Sequence, residues 1–344
     1  MKQVLTSIVG NASLKRKLYS DILSSSLSHA YIIEGKKGSG KHTLAYLLAA
    51  SVSCENSKNE SLPTPCLTCS TCRRILEGNS PDVILVSKEK DKVFLSVDII
   101  RELREDVNLV ANELDTKIYV IEDAGLMTTE AQNALLLTLE EPPAFVKFFL
   151  LCENSESLLE TIKSRCQKVS TEPIDISDID TFLQKNNTDA KRLKLSSPES
   201  YNELLMASEG TIGKAIELLD ENKLEQTLAA RALARDFLGA ISKKCSSELF
   251  ASIIGRFDKK RDVIQTQFYT IETALRDVIA IQRTEDAPLL FFHSRDEALS
   301  FADSVNTRKL MSVYSALKEA QDSISQNANM RLTLISFFAN INII

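Results

Sequence analysis

Gly35 to Thr43 reads GKKGSGKHT, a GxxxxGK spacing set between an apolar run, Ala30 to Ile33, and a helical pattern, LAYLLAASV. Glycines at that spacing let backbone N–H groups converge on phosphate oxygens, the helix start adds partial positive charge, and Lys41 reaches the outer phosphates. Gly35, Gly38, Ser39, Gly40, Lys41, His42 and Thr43 are therefore candidate nucleotide contacts. The position that should offer magnesium a hydroxyl is His42, and Thr43 stands one step too far along. The bland alternative is an ordinary glycine-rich turn. A second candidate pair, Glu122 and Asp123, ends the apolar run KIYVI, where a phosphate-loop protein holds its metal and attacking water. The usual order is aspartate then glutamate; here it is inverted, which displaces the carboxylates from general-base work, and a plain polar turn is the competing reading.

Cysteine spacing suggests a different chemistry. Cys54, Cys66, Cys69 and Cys72 lie in one short segment, the last three in CLTCSTC, with Pro63 and Pro65 in the loop between. Two successive CxxC turns plus one more distant thiol supply four thiolates to a tetrahedral Zn2+ and leave no open position, so the expected site is structural. Reduced or redox-active thiols are the alternative. Cys152, Cys166 and Cys245 stand alone and read as small buried hydrophobes. His29, at a strand entrance, reads as a structural contact.

These residues need a scaffold, and the pattern predicts one. Strands are expected over 30–33, 82–86, 117–121 and 146–152, alternating with helices over 14–23, 97–110 and 128–140. That order predicts a parallel sheet with helices on both faces and ligands at the carboxyl ends of its strands. Beyond Arg165 short helices broken by polar joints give way to three long helical stretches, LEQTLAARALARDFLGAI, VIQTQFYTIETALRDVIAIQ and RKLMSVYSALKEAQDSISQNANMRLTLISFFANI. The chain has 344 residues, 44% hydrophobic and 26% charged, enough apolar material for two or three cores. Its net charge of −6 argues against a surface that coats nucleic acid throughout. No apolar run reaches the roughly 18 residues of a membrane span and the start lacks a signal-peptide core, so no membrane is expected and a cytoplasmic location is.

Taken together, VGN at Val9 to Asn11, HAYIIEGKKGSGKHT, the four-cysteine module, KIYVIEDAGLMTTEAQNALLLTLEEPP, KFFLL and SRC at Ser164 to Cys166 occur in the order of a known family. The sequence resembles the AAA+ clamp-loader subunits of bacterial DNA polymerase III, the delta prime type more than gamma or tau. The resemblance covers about the first half of the chain. It implies an α/β RecA-like AAA+ domain over 1–172 with the zinc module, 54–72, inserted, a helical lid over 173–223 and an all-α collar over 224–344. It also implies that Arg165 acts in trans as an arginine finger, its permanently charged guanidinium reaching the ATP site of a neighbouring subunit. Without the resemblance, Arg165 reads as a surface arginine capping a helix.

Departures from the family pattern fall on the catalytic apparatus. His42 takes the magnesium hydroxyl's place and Glu122 and Asp123 are inverted. Cys152 and Glu153 stand where hydrolysing members carry threonines, Gly213 where they carry a γ-phosphate-sensing arginine, and Leu137 where the pattern has lysine. The expectation is a subunit that keeps fold and finger but not its own ATPase, working with gamma/tau and delta in a pentamer that loads a sliding clamp onto primed DNA. ATP with Mg2+ remains a cofactor only if the degenerate loop still binds it. Two rivals stand beside this reading: an ATP-hydrolysing gamma/tau-like subunit, and a zinc-braced adaptor that uses the fold as scaffold.

Overall fold

The computed structural model describes residues 5–24, 27–59, 61–90, 92–242, 252–257, 260–284, 287–326 and 328–341. Runs rich in β-branched and aromatic residues form β1 (Ala30–Glu34), β2 (Val83–Val86), β3 (Lys117–Ile121) and β4 (Val146–Cys152), and the more polar β5 (Gln167–Ser170) completes the sheet. They pair in parallel in the order β2-β3-β4-β1-β5, with Ile32 opposite both Leu150 and Lys168. Strands this apolar need cover on both faces, and the period-two alternation of side chains decides which residue meets which cover. Tyr31, Ile33, Val120, Phe149 and Leu151 face a core built with α1 (Ala12–Leu23), α2 (Lys41–Val52), the cysteine segment and α3 (Ser70–Leu76). Ile32, Tyr119, Ile121, Phe148 and Leu150 face the opposite core, with α4 (Val97–Asp106), α5 (Thr129–Glu140) and α6 (Glu160–Lys163).

Two predicted boundaries shift for identifiable reasons. The strand expected from residue 82 begins at Val83, because the buried Asp82 carboxylate instead accepts from the backbone N–H groups of Asn112, Glu113 and Leu114 at 2.6, 2.8 and 2.9 Å. The helix expected to reach 110 ends at Asp106, whose carboxylate takes the Tyr119 hydroxyl at 2.7 Å and the Lys117 ammonium at 2.8 Å.

By compactness the chain divides into one unit of Met1–Phe182 with Gly210–Gly213, holding the sheet, and another of Leu183–Glu209 with Lys214–Ile344. α7 (Ile176–Asn186) and α10 (Ile212–Glu217) carry the chain between them. The second unit contains α8 (Thr188–Ser196), α9 (Pro198–Ala207), α11 (Glu221–Ser242), α12 (Arg261–Arg283), α13 (Arg295–Ala302), α14 (Thr307–Ser325) and α15 (Met330–Asn340). Phe237, Phe268, Phe337 and Phe338 interlock in its core, with ring centroids 5.0 to 6.0 Å apart. The last predicted helical stretch divides at Asn329, whose side-chain oxygen accepts from the N–H groups of Arg331 and Leu332 and so caps a new helix. α13, which periodicity missed, starts in the same way at Ser294, whose hydroxyl accepts from the Glu297 N–H. Among the described residues no helix is long and apolar enough to cross a membrane. Cys245 lies outside the described residues.

Candidate functional site

β1 delivers the chain to the loop at Gly35, and α2 takes it up at Lys41. Gly38 and Gly40 hold φ of 78° and 86°, backbone that side-chain-bearing residues rarely adopt, which is why glycine recurs there. The Lys41 ammonium donates to the carbonyls of Gly35 and Lys36 at 2.7 and 2.9 Å. Burial pushes its pKa below the usual lysine range, opposed by the nearby carboxylates of Glu153 and Asp123 and by Cys152. The Ser39 hydroxyl accepts from Thr171 at 2.8 Å.

His42 does not merely fail to supply a hydroxyl. Its Nε2 lies 3.1 Å from Oε1 of Glu122, so the two departures from a competent magnesium site engage each other. Thr43 and Asp123 are exposed, and Asp123 sits at φ 48°, in the left-handed region. The fold thus gathers Gly35 to Thr43, Glu122, Asp123 and Glu153 around the carboxyl ends of β1, β3 and β4, as parallel strand order requires. One further residue joins them. The Gly213 N–H donates to the Gly38 carbonyl at 2.9 Å, and a Cβ built at Gly213 would lie 2.6 Å from the Gly38 Cα. No side chain can start there while the two backbones touch.

Cys152 and Cys166 are buried, and burial pushes their thiols up to about 11 and about 12, as inert core cysteines require. The other four cysteines behave differently. The Sγ atoms of Cys54, Cys66, Cys69 and Cys72 all lie within 4.8 Å of one another, and all four residues are buried. Four thiolates around zinc stand about 2.3 Å from the ion, which this cluster accommodates. Cys66 Sγ accepts from Cys69 N–H at 3.4 Å, Thr68 Oγ1 at 3.5 Å and Asn56 Nδ2 at 3.5 Å, and Cys69 Sγ accepts from Cys72 N–H at 3.4 Å. Burial disfavours the Cys66 thiolate, yet these donors outweigh it and hold the thiol down at about 5, while burial pushes Cys54 and Cys72 up. N–H donors to sulfur of this kind suit metal-bound thiolates, and the cluster can coordinate a structural metal.

Sequence reasoning missed the brace of this centre. Glu55 accepts from the Ser70 hydroxyl at 2.8 Å, the Thr71 hydroxyl at 2.6 Å and the Thr71 N–H at 3.2 Å, tying the Cys54 arm to the start of α3. An exposed glutamate beside a cysteine carries no signal that would have revealed this.

A family model described as DNA polymerase III, delta subunit matches residues 10–175. The chain is 34% identical over 212 residues to DNA polymerase III subunit delta' of Bacillus subtilis, a match covering 62% of this chain and 60% of that protein. It is 34% identical over 208 residues to subunit delta' of Escherichia coli, covering 60% and 59%, and 31% identical over 219 residues to subunit tau of Bacillus subtilis, covering 64% and 38%. By these matches, residues 10–175 fall in the bacterial DNA polymerase III clamp-loader family.

The matched stretch spans about three fifths of the delta' relatives and under two fifths of tau. Delta' and tau match at nearly equal identity, 34% and 31%, so the site residues alone separate the two types. Arg165 is not among the residues that gather at the Gly35–Thr43 loop. Its guanidinium donates to the Thr161 carbonyl at 2.9 Å in α6 and to Glu140 Oε1 at 2.7 Å at the end of α5. Within this chain alone it is the helix-capping arginine that the residues by themselves suggest.

Proposed function

We propose that this chain is a delta prime-type subunit of a clamp loader, which keeps the nucleotide-binding fold but not the turnover. One observation carries the reading: Gly213 packs against Gly38 with no room for a side chain, so position 213 has no arginine to sense a γ-phosphate. The pairing of His42 with Glu122 supports it, since hydrolysis depends on positioned metal and charge and both groups are spent on each other. In this reading Arg165 is an arginine finger for a neighbour's ATP, residues 173–223 act as lid, and 224–344 form the collar that meets gamma/tau and delta. The pentamer opens a sliding clamp and closes it on primed DNA in the cytoplasm. Zn2+ at Cys54, Cys66, Cys69 and Cys72 braces the fold.

The test is binding of a fluorescent ATP analogue to the purified chain, with and without magnesium, with hydrolysis followed in the same tube. Negligible turnover is expected whether or not the analogue binds. In a reconstituted loader Arg165→Ala should sharply lower ATP turnover, since such fingers contribute ~10³- to 10⁵-fold at the site they complete. A gamma/tau-like reading keeps one observation in its favour, the intact glycines and Lys41 of the loop. Magnesium-dependent turnover by the isolated chain would establish it in place of the first.

A further inference from the structure

Arg165 stands between α6 and β5, and its guanidinium has three acceptors in reach. Nη1 donates to the Thr161 carbonyl at the end of α6, which also accepts the Ser164 hydroxyl at 3.0 Å, and reaches that hydroxyl itself at 3.5 Å. Nη2 donates to Oε1 of Glu140, the last residue of α5. The nearest cation on α6, Lys163, is occupied by Glu160 at 2.7 Å and Glu156 at 3.6 Å, so it does not compete for Glu140. A guanidinium presents its donors in one planar fork. The edge spent on Glu140 is therefore not free to take a phosphoryl group.

We propose that Glu140 is a latch in cis for Arg165, a positioning residue that parks the finger until a neighbour's nucleoside triphosphate competes it away. The proposal rests on the finger reading given above. Its energetics suit a reversible latch. Both side chains are partly exposed, 35% for Arg165 and 44% for Glu140, so the pair is weak and screened by salt. A terminal phosphoryl group carries more negative charge than a carboxylate and accepts the fork bidentately. Arrival of ATP next door thus draws Arg165 off Glu140, and departure of the γ-phosphate returns it. The latch also keeps the unpartnered finger from pairing elsewhere.

The experiment is steady-state ATP turnover by the reconstituted loader, with clamp and primed DNA, carrying wild-type chain, Glu140→Gln, Arg165→Ala or both substitutions. Removing the competitor should raise kcat/KM for ATP about two- to fivefold, the range an exposed ion pair is worth, with the gain shrinking as salt is raised. Arg165→Ala should erase the effect of Glu140→Gln entirely, an outcome that a merely structural role for Glu140 would not produce. Wild-type or slower turnover with Glu140→Gln, while Arg165→Ala still cripples the loader, overturns the latch and leaves the finger standing. A gain that persists without Arg165 overturns the latch as well. Unchanged turnover with Arg165→Ala removes the finger, and the latch with it.

Discussion

Glu55 and the four cysteines show how individual residues build a centre that is legible only in part. CxxC spacing announces the ligands because thiolate geometry needs them on tight turns, whereas the Glu55 brace follows from a contact made across 15 and 16 positions to Ser70 and Thr71. If the centre holds zinc, metal analysis of purified protein should give one ion per chain, and Cys69→Ser should lower that ratio and the unfolding temperature together. Glu55→Ala should leave the ligands intact but weaken zinc retention against a chelator about tenfold, the low end of what losing an outer partner costs. Full retention in both variants would mean that the thiols do not ligate metal. Asn11 gives a similar lesson. Its physical task is a left-handed turn at φ 52° from which its side chain accepts the Glu172 N–H at 2.7 Å.

At the scale of elements, the contact between the Gly213 segment at the start of α10 and the glycine-rich loop at Gly38 is the tightest constraint. A methyl at 213 would come within 2.6 Å of one backbone atom of Gly38 and 2.8 Å of another, below any real Cβ contact, and backbone cannot swing aside as a side chain can. Gly213→Ala should therefore destabilise the chain by about 1–3 kcal/mol, the usual cost of forced overpacking, seen as a lower denaturation midpoint with unchanged slope. Hydrogen exchange across residues 36–40 should rise in parallel. A neutral substitution would show that the two segments part freely. Capping side chains set other helix starts: α5, α13 and α15 begin where Thr128, Ser294 and Asn329 satisfy free N–H groups.

Across the whole molecule, the helical unit carries its own electrostatic fastening. Glu203 on α9 pairs with Arg231 and Arg235 on α11 and with His293, and Arg235 also pairs with Glu297 on α13 at 3.0 Å. The guanidinium of Arg231 lies 4.5 Å from the Phe291 ring centroid. Burial alone would raise the Glu203 pKa, but the His293 hydrogen bond and the charges of Arg231 and Arg235 outweigh it and bring the carboxyl down to about 2. A folded-state pKa below the unfolded value adds stability that is fully present above about pH 4.5 and is lost as pH falls towards 2. Glu203→Gln should thus unfold more easily than wild type at pH 6, and the gap should close as acid is added. A gap that stays constant with pH would take Glu203 out of the fastening. The residues involved are separated by as many as 90 positions, and nothing in their local pattern announces them.

Much of the sheet unit was determined by sequence alone. Apolar runs of strand length alternating with period-3.6 patterns can bury their faces only as a parallel sheet covered on both sides. Fixed spacings located the glycine-rich turn after β1 and the cysteine cluster because backbone turns and thiolate geometry are local constraints. Tertiary structure decided the rest: that His42 meets Glu122 rather than solvent, that Gly213 lies on Gly38, that Glu55 spans the cysteine arms and that Arg165 rests on Glu140. Each is a contact between residues distant in the chain, made between groups with no periodicity of their own. Such pairs are specified by the packing that brings their elements together, and a linear pattern records the elements without recording which of their polar ends will meet.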